Sequence, residues 1–264
     1  VRVDWLVASV AWGSPQWWLP VDAAAHGVGL DRHLLLNLWI AAGLLGVVHV
    51  VLLGGLVARR SPGAGGRVPT SAGEARLRWG TRAAEYGTLA AVTVLFVWLT
   101  VRAERLWAAQ RYTGGDPAAM QVDVTGVQFA WYFRYPGKDA AFGRTRPELV
   151  AAGEGNPLGI DPADDKGKDD FVSSELVLPV GREVDLRLKA QDVIHGFAVP
   201  ELRVKQNAVP GQVFHVHFMP TKTGTYAVLC TQLCGMGHYR MNATLRVVSE
   251  AEFERWLARK EGGE

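Results

Sequence analysis

With 264 residues, 48% of them hydrophobic, the chain has room for one modest globular domain together with membrane spans. Its formal net charge of +2 leaves no basic excess of the kind that nucleic-acid binding requires. The average conceals two unlike halves.

Residues 1–33 carry Trp5, Trp12, Trp17 and Trp18 among small and polar side chains. Tryptophan favours the membrane–water interface, so this segment is expected to be an interfacial lead-in. Leu34 to Val57 has no formally charged residue. As a helix it reaches about 36 Å, enough to cross a hydrocarbon core of about 30 Å. His49 lies inside it and is expected to serve as a hydrogen-bonded polar residue at a helix contact. The loop 58–82 is rich in Gly, Pro and Ser and sets Arg59, Arg60, Arg67, Arg76, Arg78 and Arg82 against Glu74, which places it in the cytoplasm by the positive-inside rule. Residues 83–101 form the returning span, so both termini lie on the opposite face. Glu85, at the start of that span, suits the positive end of a helix dipole.

Arg102, Glu104, Arg105 and Trp107 mark the outer interface, and residues 115–250 form an exported domain. Met120 to Tyr135 alternates and is aromatic, as a strand does. Residues 136–170 are rich in Gly, Pro and Asp. They end in a run containing Asp161, Asp164, Asp165, Asp169 and Asp170, read either as a solvated loop or as a docking patch for a basic partner. Ser174–Val180, Glu183–Ala190, Gly211–Met219, Thr223–Cys230 and Met241–Val248 are short apolar stretches between turn signals, the pattern of an all-β sandwich or barrel. His215 and His217 alternate on one of these strands; they could hold a metal, although exposed strand histidines are far commoner. Ser249 and Glu252 have the spacing of a capping box, which starts a short amphipathic helix within the C-terminal segment 251–264.

Both cysteines fall in one loop, Cys230-Thr-Gln-Leu-Cys234-Gly-Met-Gly-His238-Tyr-Arg-Met241. Thiolate and thioether donors select copper, zinc or iron–sulfur over hard cations. A structural zinc site would call for four strong donors, and no second cysteine pair exists. A blue-copper site needs only one cysteine. A disulfide remains open on cysteine count alone in an oxidising compartment, but it leaves His238 and Met241 without a reason. Two thiolates four residues apart, each able to bridge, suit a pair of copper ions with one histidine capping each.

The succession Cys230-x-x-x-Cys234-x-x-x-His238-x-x-Met241, preceded by Asp192-Val-Ile-His195-Gly-Phe-Ala-Val-Pro200, resembles the binuclear copper (CuA) loop of the cytochrome c oxidase subunit II family. The same loop occurs in nitrous oxide reductase and in certain nitric oxide reductases. The resemblance runs from the first hydrophobic span to Val248. It implies two transmembrane helices in a hairpin, then an all-β cupredoxin-like barrel and a short C-terminal helix. The implied ligands are His195, Cys230, Cys234, His238, Met241 and the main-chain carbonyl of Gln232. Most family members have glutamate at Gln232, whose carboxylate also reaches an interfacial magnesium.

Further expectations follow from the same likeness. The aromatic strand would take electrons from cytochrome c through Phe129, where the family usually has tryptophan, and Trp131. Glu85 matches in position a glutamate near the mouth of a proton path. Asn207 stands where the family often has an aspartate. Haem is expected only in the partner, subunit I, since this chain has no Cys-x-x-Cys-His. The implied setting is the bacterial inner membrane among lipid and other oxidase subunits, with the copper domain on the periplasmic face. Two alternatives are the copper subunit of a nitric oxide reductase and a membrane-anchored copper carrier, which would exchange its metal readily where an electron-transfer site would keep it.

Overall fold

The computed structural model describes the backbone of residues 19–60, 71–111 and 115–261, and side chains over 19–57, 80–111 and 115–260. The four N-terminal tryptophans and the middle of the arginine-rich loop lie outside the described residues.

Two long helices come first, α1 (Gly27–Arg60) and α2 (Ser71–Arg111). Both are apolar and long enough to cross a membrane, and neither is buried by the rest of the chain. Val50 is 71% exposed and Phe96 67%, a surface that only lipid or another apolar chain can cover. Thr93 and Thr100 turn their hydroxyls back onto the carbonyls of Leu89 and Phe96, and His49 Nδ1 lies 2.7 Å from Leu45 O. The polar groups inside the spans are thus met by their own helix.

Each helix continues beyond its apolar run toward the domain. The first turns of α1 carry Asp31, whose carboxylate takes two hydrogen bonds from Arg203, at 2.8 and 2.9 Å. At the end of α2, Arg111 Nη2 donates to Lys205 O at 2.8 Å. Within the segment read as an interfacial lead-in, the described residues 19–33 form the seam between helices and domain. Across the same seam Thr221 N donates to Ala23 O, and Ala23 N donates to Glu201 O.

The domain is a sandwich of two five-stranded sheets. One has the order β3 (Phe171–Ser173), β2 (Ala130–Tyr135), β1 (Met120–Val127), β5 (Val184–Ala190), β8 (Phe214–Phe218). The other runs β4 (Glu175–Pro179), β10 (Asn242–Val248), β9 (Gly224–Cys230), β6 (His195–Val199), β7 (Val204–Ala208). Pairing is antiparallel except for β1 with β5 and β4 with β10. Alternate residues face inward: Val122, Val124, Phe133, Leu186 and Leu188 from one sheet meet Leu176, Leu245, Val228 and Phe197 from the other, all fully buried. Trp131 packs edge-on to Phe197 with ring centroids 5.4 Å apart. This is the cupredoxin-like arrangement that the resemblance implied.

The helix α3 (Glu250–Glu261) closes the sandwich, burying Phe253 and Trp256; Trp256 meets Tyr135 and Phe171. Ser249 Oγ accepts from Glu252 N at 3.3 Å, while the Glu252 carboxylate pairs with Arg246. Only half of the expected capping box forms.

The single strand read over Met120–Tyr135 is a hairpin, with Val127 opposite Ala130 and Gln128-Phe129 at the turn. That turn has no Gly, Pro, Asn or Asp to announce it. The aspartate run also departs from a free acidic patch. Asp170 is buried against Arg134 and accepts from Gly143 N. Asp161 is buried and pairs with Arg146, Asp164 accepts from Arg144 N, Asp165 pairs with Lys168, and Asp169 accepts from Lys138 N. Four of these carboxylates tie residues 136–170 to one another, and Asp170 ties the segment to β2 through Arg134.

Candidate metal centre

All the candidate ligands meet at one end of the sandwich. His195 opens β6 and is fully buried; Cys230 closes β9; Cys234, His238 and Met241 follow on the loop into β10. Neighbouring strands β6 and β9, in register at Phe197 and Cys230, bring residues 35 positions apart to the same edge.

The two sulfurs of Cys230 and Cys234 lie 3.9 Å apart, far beyond the disulfide length of about 2.05 Å, and both cysteines are free. Cys234 Sγ is also 3.6 Å from His238 Nδ1 and 3.6 Å from Met241 Sδ. Cys230 Sγ is 3.2 Å from the main-chain oxygen of Gln232. The ligand atoms of His195, Cys230 and Cys234 all fall within 4.8 Å of one another. Burial, and then the neighbouring Cys230, push the Cys234 thiol up to about 11. Without a cation the Cys234 thiol therefore stays protonated at neutral pH.

His195 is oriented from behind. Its Nε2 is 2.8 Å from Asp192 Oδ1, which leaves Nδ1 buried with no hydrogen-bond partner among the described residues. An orphaned buried nitrogen is costly unless something outside the protein meets it. Burial raises the Asp192 carboxyl, but the hydrogen bonds from His195, Gln128 N and Val193 N outweigh it and hold the group below its ordinary range.

The loop is held by close backbone contacts. Thr231 N donates to Gly196 O, and a side chain at Gly196 would run into Thr231 Oγ1 at 2.5 Å. Gly235 has a φ of +136°, which glycine alone takes readily, and a side chain at Gly237 would meet the Phe129 ring at 2.4 Å. Gln128 Nε2 donates to Cys234 O at 2.6 Å. The β1–β2 turn is thus the floor of the ligand loop. Leu233, Met236 and Tyr239 project outward, 77%, 94% and 84% exposed, and form an apolar rim.

The donor set fits a soft or borderline cation: two thiols, a thioether, two imidazoles and a carbonyl. Sequence reasoning missed the partners behind it, Asp192 holding His195 and Gln128 holding Cys234; the Asp192-x-x-His195 spacing was the available signal. Of the expected electron-entry aromatics, Phe129 packs beneath the loop. Trp131 is buried, its ring edge-on to His195 at 5.8 Å. Glu85 sits on α2, exposed and remote from the centre.

Comparison with known proteins shows the family. Residues 158–248, which hold all six candidate ligands, match the family model for the cytochrome c oxidase subunit II periplasmic domain. Over 251 residues, covering 92% of this chain and 84% of the relative, the sequence is 32% identical to an alternative cytochrome c oxidase subunit 2 of Bradyrhizobium diazoefficiens. The cytochrome c oxidase subunit 2 of Thermostichus vulcanus is 39% identical over 142 residues, 54% of this chain and 34% of that one. Among solved structures, the periplasmic domain of subunit II of cytochrome oxidase from Bradyrhizobium japonicum is 28% identical with a TM-score of 0.40, covering 55% of this chain and 94% of that one.

Proposed function

Because the chain belongs to the cytochrome c oxidase subunit II family, we propose that it is the electron-entry subunit of a haem–copper terminal oxidase. It accepts electrons, from cytochrome c or a similar donor, at a binuclear copper centre and passes them to haem in subunit I, where oxygen is reduced. The observation that carries this is the convergence of the buried, unpartnered His195 Nδ1 on the free thiol pair.

The chain would hold the metals through the thiols of Cys230 and Cys234, the Nδ1 atoms of His195 and His238, Met241 Sδ and Gln232 O. Two copper ions held this way supply a one-electron carrier whose charge is spread over both nuclei. The protein's own part is to keep that site rigid and dry. Asp192 fixes the His195 ring, as outer partners of metal ligands do. Gly196, Gly235 and Gly237 let the loop lie against β6 and Phe129. The exposed Leu233, Met236 and Tyr239 offer the donor an apolar landing next to the loop, and Trp131 lies edge-on behind His195.

In the same reading, residues 34–57 and 83–101 lie in the inner membrane, the loop 58–82 in the cytoplasm with Glu85 at its edge, and the domain 115–250 in the periplasm. The helices' exposed apolar surface meets lipid and subunit I.

The full chain, purified in detergent and loaded with copper, should carry two coppers and an electron-spin signal shared equally by two nuclei. Cys234→Ser should abolish that signal, because a hydroxyl is a hard donor that cannot stand in for a bridging thiolate. One copper per chain, or a signal that survives Cys234→Ser, would overturn the assignment.

A further inference from the structure

At the other end of the sandwich, β5 and β8 bring a second set of donors together. In their antiparallel register Asp185 lies opposite His217 and Arg187 opposite His215, so one face presents a carboxylate and two imidazoles. Asp185 Oδ2 is 2.8 Å from His215 Nδ1, and Asp185 Oδ1 is 3.6 Å from His217 Nδ1. The two rings are near-parallel, 6.1 Å between centroids. One donor atom from each residue falls within 4.8 Å of the others.

Two features distinguish this cluster from a decorative strand pair. The Asp185 side chain is only 8% exposed, and among the described residues no lysine or arginine pairs with it. Arg187, its neighbour on the same face, is instead held by Asp123 at 3.2 Å and lies over the Phe142 ring. Buried carboxylates are normally paired with a cation or bound to a metal. The second feature is His217 Nδ1, which is buried without a hydrogen-bond partner among the described residues. The backbone at Gly115 packs against that ring so closely that a side chain there would meet Cε1 at 2.6 Å. His217 is thus pinned with an unpartnered nitrogen toward a carboxylate that lacks a cation.

We propose that Asp185, His215 and His217 form a second metal site, which takes a zinc-like divalent cation through two imidazole nitrogens and one carboxylate oxygen. Such a donor set suits zinc and its first-row neighbours. Donors about 2.1 Å from a common ion can stand at most about 4.2 Å apart, so a small rotation of the half-exposed His215 completes the site and leaves a coordination position for water. It is separate from the sulfur-rich centre. Ala190, which pairs with Gly126 beside His195, stands five residue steps along β5 from Asp185, a span of about 16 Å. Because α2 packs on β8, the ion would sit at the seam between the membrane helices and the domain.

The test is zinc titration by calorimetry into the full chain in detergent at neutral pH, after copper loading, and again in the Cys230→Ser, Cys234→Ser double variant. The second arm makes the result independent of the copper reading. One zinc per chain with micromolar or tighter affinity is expected in both arms. His215→Ala, at a half-exposed position that leaves the fold intact, should weaken it by more than the roughly 10–100-fold that loss of an outer partner costs. Asp185→Asn should do the same. Cobalt(II) in place of zinc should give visible absorption bands that His215→Ala removes. Binding only at millimolar zinc, or binding that His215→Ala and Asp185→Asn leave unchanged, would overturn the proposal.

Discussion

The ligand loop 230–241 and the loop 136–170 are both irregular, both glycine-containing and both packed on the edge of a sheet, yet they use their polar groups in opposite ways. In the longer loop each of the five aspartates from Asp161 to Asp170 finds a guanidinium, an ammonium or a backbone N–H within the protein. In the shorter one the thiols, the thioether and the His238 imidazole face one another, and His195 Nδ1, which β6 brings beside them, has no hydrogen-bond partner among the described residues. Charge that is spent internally builds a scaffold. Donors left facing each other build a site.

Three aspartates probe that contrast. Asp170→Ala strands the buried Arg134 guanidinium, and the loss of one partner from a buried pair costs about 3–5 kcal/mol. Urea unfolding should show that loss while the folded fraction keeps its full complement of copper; a shift within experimental error would mean that the longer loop is not scaffold. Asp192→Asn should act the other way round, weakening copper binding by about 10–100-fold through His195 and leaving the metal-free unfolding curve nearly in place. Competition with a chelator measures the first quantity, and unchanged copper affinity would detach Asp192 from the site. Asp165→Asn, which breaks only the exposed pair with Lys168, should alter neither melting temperature nor copper content nor the salt dependence of electron entry. A flattened salt profile would restore this loop as a docking surface and erase the distinction.

How far the sequence discloses these roles depends on how local the information is. The ligand loop is legible because Cys230, Cys234, His238 and Met241 are chain neighbours with a spacing that chemistry constrains, and His195 announces itself through the residues around it. Strands β5, β8, β9 and β10 show apolar runs between turn signals. The hairpin at Gln128-Phe129 does not, because its turn residues serve the ligand loop above rather than the turn itself. β3, β6 and β7 are three to five residues long, too short for alternation to register. The tasks of Asp170 and Asp185 are invisible for another reason. An aspartate in a polar run looks solvated, and only the fold decides that Arg134 is buried beside one and that two histidines flank the other.

Arg203 has the φ of +54° that few side chains accept, and it spends its guanidinium on Asp31, Pro20 and Pro200. It follows β6, the strand that begins with His195, after the short turn Pro200–Leu202. A five-residue strand and that turn therefore link a candidate metal ligand to the head of the first membrane helix. The strand works as a gauge block: it fixes the separation between the sulfur cluster and the head of that helix, so that a residue inserted or deleted between His195 and Arg203 should change that separation.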